Sequence, residues 1–96
     1  MKVEVLETAL DDLSDGFHFY ENQSDGLGIY FVDTLWSDID SLCAFAGIHP
    51  LCLDYHRLLS KRFPYAVYYK IENNVARVWA VLDCRRDPAW IRKQLM

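Results

Sequence analysis

Ninety-six residues, 52% hydrophobic and 15% aromatic, suffice for one small core and are too few for two, so a single domain over residues 1–96 is expected. No apolar run approaches the roughly 20 residues that span a bilayer, Met1-Lys2 leads into charged sequence rather than a signal peptide, and Cys43, Cys52 and Cys84 form no CxxC pair; a cytoplasmic protein with no membrane partner, no disulfide framework and buried free thiols is expected. The formal net charge of −4 conceals one basic against eleven acidic residues over 1–54 and nine basic against three acidic over 55–96, so the second half either presents a positive surface to nucleic acid or an acidic partner chain, or lies neutralised beside acidic helices.

In chain order, Lys2–Leu6 alternates and reads as a short strand with Val3 and Val5 on one face. Leu6, Ala9, Leu10, Leu13, Phe17 and Tyr20 recur at helical spacing, with Thr8 and Asp11 as a weak capping box. Gly16 inside this helix costs about 1 kcal/mol relative to Ala, which points to a close packing contact there. Asn22–Gly28 reads as a break. Phe31, Leu35, Ile39, Leu42, Cys43 and Ala46 then line a second helix whose polar side takes Asp33, Ser37, Asp38 and Asp40, and Gly47 and Pro50 end it. The two form an antiparallel helical hairpin with one joint apolar face.

Beyond the hairpin the period changes from helical to alternating. Tyr55–Ser60, Tyr65–Ile71 and Val75–Asp83 read as strands, with Pro64 at a strand start and Asn73-Asn74 as a two-residue type I′ turn. That turn pairs Glu72 with Val75. Counting back, Ile71 opposes Ala76, Tyr69 Val78, Val67 Ala80 and Tyr65 Leu82, an apolar face for the helices. The other face pairs Lys70 with Arg77, Tyr68 with Trp79 and Ala66 with Val81, and its uncovered aromatic and basic residues make it the candidate working surface. Asp87 and Pro88 read as N-cap and first residue of a terminal helix that Trp90, Ile91 and Leu95 dock. Arg85 and Arg86 therefore sit where a strand leaves the sheet, placed for phosphates or carboxylates, with one of them paired to Asp83 or Asp87. The fold class is α+β: a small, mostly antiparallel sheet with the helical hairpin on one face, in the order β-α-α-β-β-β plus a short C-terminal helix.

RFPYAVYYKI, the Asn-Asn turn, WAVLDCRRDP and the following Trp90, together with the Leu27-Gly28 break and Ala46–His49, resemble the RelE/ParE superfamily of bacterial toxins over nearly the whole chain. The resemblance implies the toxin half of a type II toxin-antitoxin pair, also known as plasmid stabilisation proteins, held in a hetero-oligomer by a cognate antitoxin that wraps it with an extended arm. It also implies one of two targets. RelE-like members cut mRNA on the ribosome without a metal, through basic residues on the middle strands and an arginine after the last strand; here Arg57 and Arg86 match those positions, as catalytic residues if the chain is a ribonuclease. Leu59, Ala66 and Trp90 stand where that pattern wants basic or tyrosyl groups. The ParE-like branch, which binds DNA gyrase, is therefore favoured, and a diverged non-toxic interaction module is a further alternative. Lys61, Arg62, Tyr68, Lys70, Arg77, Trp79 and Arg85 are the expected target- or antitoxin-binding residues. No cofactor or metal is expected, because His18, His49 and His56 fall on different elements without ligand spacing.

Overall fold

The N-terminal alternation folds as β1 (Lys2–Val5) and hands over at Leu6 to α1 (Glu7–Glu21) in the computed structural model, which describes residues 1–96. Leu6 is the N-cap and lends no side-chain hydrogen bond. The expected capping box at Thr8 is absent, because the Thr8 hydroxyl donates instead to the Trp79 carbonyl at 2.8 Å. Helix α2 (Leu27–Asp40) packs on α1. Its first amides are taken by the preceding helix: the Glu21 carboxylate accepts from Gly26 N–H at 3.0 Å and Gly28 N–H at 2.9 Å, placing negative charge at a helix N-terminus. The single helix expected to run to Ala46 breaks at Ser41, whose hydroxyl donates to the Asp38 carbonyl at 2.6 Å. A separate turn, α3 (Leu42–Phe45), follows, and Gly47 ends it at φ 99°.

Five strands form one sheet in the order β1-β5-β4-β3-β2, with β1 parallel to β5 and the other pairs antiparallel. The short β2 (Leu51–Cys52) was not expected; it pairs with β3 (Tyr55–Leu59) through Leu53 and Asp54, at φ 52° and 68°. Strands β4 (Tyr65–Glu72) and β5 (Val75–Asp83) meet through Asn73 and Asn74, both at positive φ as a type I′ turn requires.

From that turn the register runs as expected to Tyr69 opposite Val78, and there it slips. A bulge inserts Trp79, so Tyr68 faces Ala80, Val67 faces Val81, Ala66 faces Leu82 and Tyr65 faces Asp83. The slip exchanges faces. Val81 joins Tyr65, Val67, Tyr69, Ala76 and Val78 in the core beneath α1 and α2, while Ala80 and Leu82, expected on that face, move to the opposite one. The opposite face is a second core of Tyr55, Ala66, Tyr68, Ala80, Leu82 and Leu95, closed by α4 (Pro88–Leu95). The face expected to be the open working surface is thus largely covered, and Tyr68, placed on it as a contact residue, is 1% exposed. The thiols depart from expectation as well, with Cys43 exposed and Cys52 and Cys84 half-buried.

Strand β1 covers β5 only as far as Val78, so the rest of that edge needs another cover. Helix α1 supplies it one turn apart: Thr8 takes the Trp79 carbonyl, and the Asp12 carboxylate accepts the Val81 amide at 3.0 Å. Burial, opposed by that bond, pushes the Asp12 carboxyl up from 3.8 to about 6, with Asp15 and Asp11 adding to the rise. The folded state thus holds the Asp12 proton more tightly than the unfolded chain, so this group favours folding below about pH 4, and the advantage is lost as pH rises through about 6. Asp12→Asn keeps an acceptor for Val81 and removes the charge. It is expected to stabilise the protein at pH 8 by about 1 kcal/mol after allowance for solvent screening and to leave stability at pH 4 unchanged. Thermal melts of both proteins at the two pH values check this, and an equal change at both would place the effect outside the ionisation.

Candidate functional site

The alternation of β3 and its register with β4 put Arg57 opposite Tyr68, on the α4 side of the sheet. The Arg57 guanidinium donates from Nε to the Tyr68 hydroxyl at 3.2 Å and from Nη2 to Cys84 Sγ at 3.4 Å. The bond to Tyr68 is the main reason that its pKa is raised, with burial opposing, so the guanidinium is fixed as a cation in one orientation. Where β5 ends, a short turn delivers Arg86, and Asp87 N-caps α4 by accepting the Ala89 amide at 2.9 Å, with Pro88 at the first helical position. The Arg86 guanidinium lies 3.8 Å above the Trp90 ring, four residues on. Such stacking orients the planar group and adds about 0.5–1 kcal/mol.

Arg57, Arg86 and Arg92 of α4 converge on a groove of about 390 Å³ floored by Tyr68 and walled by Cys52, Leu53 and Ile91. No carboxylate and no histidine lines it. None of the three guanidinium groups is in a salt bridge, and such groups suit a phosphate or carboxylate, held by charge-assisted bonds. The groups in the groove that could take a proton are the Tyr68 hydroxyl and the Cys84 thiol, both of which already accept from Arg57, and the Cys52 thiol.

The remaining expected residues do not gather here. Arg85 turns back onto Asp83, donating to both carboxylate oxygens at 3.0 and 2.9 Å, and also reaches Tyr20. Burial of Asp83 is outweighed by these bonds, which hold its carboxyl below the usual range. Arg77 lies between Glu4 at 3.6 Å and Glu72 at 3.4 Å, which relieves its position opposite Lys70. Lys70 spends its charge over the rings of Tyr55 at 4.5 Å and Trp79 at 5.8 Å. Lys61 and Arg62 stand beside α2, where Arg62 donates to the Tyr30 hydroxyl at 3.2 Å. His56 and Tyr69, neighbours of Arg57 and Tyr68 in sequence, point to the opposite side of the sheet. There His56 stacks on Tyr69, and the Tyr69 hydroxyl accepts the Gly47 amide and meets His49 Nδ1, tying the segment after α3 to the sheet.

Of the groove's lining only Arg57, Tyr68 and Arg86 were expected site residues; Cys84, which takes an Arg57 donor, and Arg92, the third cation, were not. Arg92 was legible in principle, since it lies four positions after Pro88 on the helix that the Asp87-Pro88 cap announces. Arg86 also borders a second groove of about 320 Å³ containing Asp12, Asp15 and Asp83. The raised carboxyl there, Asp12, is occupied by the Val81 amide and reads as structural.

No helix is long and apolar enough to cross a membrane. No protein-family model matches the sequence, and no curated protein matches it. Among solved structures, a chain of the chromosomal ParDE TA system from P. aeruginosa superposes with a TM-score of 0.74 at 15% identity, over 84% of this chain and 92% of that one. The likeness establishes a shared fold over nearly the full length of both chains, the fold that the sequence resemblance implied.

Proposed function

We propose that this chain is the toxin half of a type II toxin-antitoxin pair, ParE-like, which acts by binding a cellular target, DNA gyrase, and is neutralised by a cognate antitoxin in the cytoplasm. The observation that carries the reading is the fold shared with a chain of the P. aeruginosa ParDE system across 84% of this one. The groove supports binding over catalysis: three arginines would hold an anion, while no carboxylate or histidine faces it and the Tyr68 hydroxyl and Cys84 thiol are engaged by Arg57. The ribonuclease reading rests on one feature, the fixed Arg57–Tyr68 pair beside Arg86, which would seat a phosphodiester. The antitoxin expected here is one whose arm brings carboxylates to the basic half of the chain.

Expression without a partner separates the readings. Growth arrest with gyrase-dependent DNA damage, inhibited supercoiling by purified gyrase and intact transcripts is the expected result. Transcripts cut during arrest, with supercoiling unaffected, would move the chain to the endoribonuclease class. Normal growth at high expression would leave an interaction module.

A further inference from the structure

A groove of about 580 Å³ lies away from the arginine cluster, between α2 and the end of β3. Asp38 lines it at 8% exposure, and its Oδ2 is buried without any hydrogen-bond partner. None of the three ion pairs in the protein involves Asp38, although Lys61 and Arg62 stand at the rim of the same groove. The residue is held in place by its own helix end, where Ser41 bonds its carbonyl. A carboxylate oxygen taken out of water with no partner is a standing cost, and a cation brought to the other oxygen, Oδ1, which accepts no hydrogen bond in the protein, offsets it. Phe45 lines the groove at 55% exposure and Ile48 at 72%, and Tyr30, although its ring packs against Phe63 and its hydroxyl takes the Arg62 donor, is 45% exposed.

We infer that this groove receives an arginine of a partner protein, its guanidinium paired with Asp38 and stacked on Tyr30 or Phe45, and its flanking apolar residue seated on Ile48. A planar fork suits a carboxylate and an aromatic face together, which an ammonium does not. Lys61 and Arg62 at the rim then select an acidic residue elsewhere in the same segment, so the occupant carries both signs of charge. On the function proposed above the antitoxin is such a partner, but the groove's chemistry is argued from the free protein and stands apart from the target.

The test uses blocked peptides, Ac-Leu-Arg-Leu-NH2 against the same peptide with citrulline, which keeps the shape and loses the charge. The arginine peptide is expected to shift the amide resonances of Ser37, Asp38 and Ser41 and to bind at least tenfold tighter than the citrulline peptide. Asp38→Asn should erase that preference, because it removes the charge that the guanidinium pairs with. Phe45→Ala, at an exposed site, should weaken the arginine peptide several-fold, and it decides the matter if Asp38→Asn does not fold. Equal binding of both peptides, or resonance shifts outside the groove, overturns the proposal. A failure here leaves the growth and gyrase results untouched, and failure of those leaves the peptide result standing.

Discussion

On the function proposed above, Arg57→Ala combined with Arg86→Ala is expected to lower affinity for the cellular target about a thousandfold and to abolish growth inhibition, because each arginine brings to the groove a guanidinium that is in no salt bridge. Losing one such charged contact at the centre of an interface costs about 2 kcal/mol, and two independent losses give about 4 kcal/mol, or a factor of about 10³. If both arginines grip one anion, the losses are not additive and either single variant approaches the double. Arg77→Ala is the control. Its guanidinium already lies between Glu4 and Glu72, so its removal should change target binding by less than about 1 kcal/mol. Arg57→Ala also strips the buried Tyr68 hydroxyl of its donor, at a folding cost of about 1–2 kcal/mol. Arg57→Gln keeps a donor near Tyr68 without the charge and separates binding from stability. Titrated inhibition of gyrase, the target proposed above, read beside melting temperatures, decides between these. Full inhibition by the double variant would remove the groove from the mechanism, and loss confined to Arg77→Ala would move the site to the Lys70–Arg77 end of the hairpin.

The features legible in the sequence were those with a local cause. Asn73-Asn74 set the β4–β5 turn and its first four pairs, Gly16 announced a close contact, and Asp87-Pro88 announced α4. The bulge was hidden because VWAVLD is apolar in either phase, so no alternation marks where the slip occurs, and one residue of slip exchanges the faces. Strand β2 was hidden because Leu53 at positive φ carries no turn signal. The terminal helix was visible but its docking face was not, since Trp90, Ile91 and Leu95 fit any apolar surface; it covers the very face judged open. Asp38 was misread for a different reason. It falls three residues after Leu35 and four before Leu42, on the buried stripe of α2, and its charge made it read as polar surface. Helical spacing placed it correctly, and residue type argued against the spacing.

Adding a single methyl group at Gly28 is expected to be among the most damaging small changes to the fold. Alanine in a helix gains about 1 kcal/mol over glycine, so a loss on substitution measures crowding alone. A Cβ at Gly28 would lie 2.6 Å from the Phe17 carbonyl oxygen and 2.8 Å from Glu21 Cβ. The first is backbone and cannot rotate away, and displacing the second removes the carboxylate from the Gly26 and Gly28 amides. A net loss of about 3 kcal/mol is expected, or a fall in melting temperature on the order of 10–20 °C. At Gly16 the Cβ would lie 2.5 Å from the Phe31 ring, which is fully buried among Tyr20, Phe63 and Tyr65. A side chain gives more readily than backbone, so about 2 kcal/mol is expected there. Gly26 has φ 86° and open space around it, so alanine costs only the left-handed strain of about 1–2 kcal/mol. Denaturant unfolding of the three variants should therefore place Gly28 as the worst. If Gly28→Ala is as stable as the parent, α1 and α2 are not in close contact there. The result matters beyond the hairpin, because α1 carries Thr8 and Asp12, which close the β5 edge beside the bulge; loosening the helix pair would free that edge and, through it, the strand end that delivers Arg86.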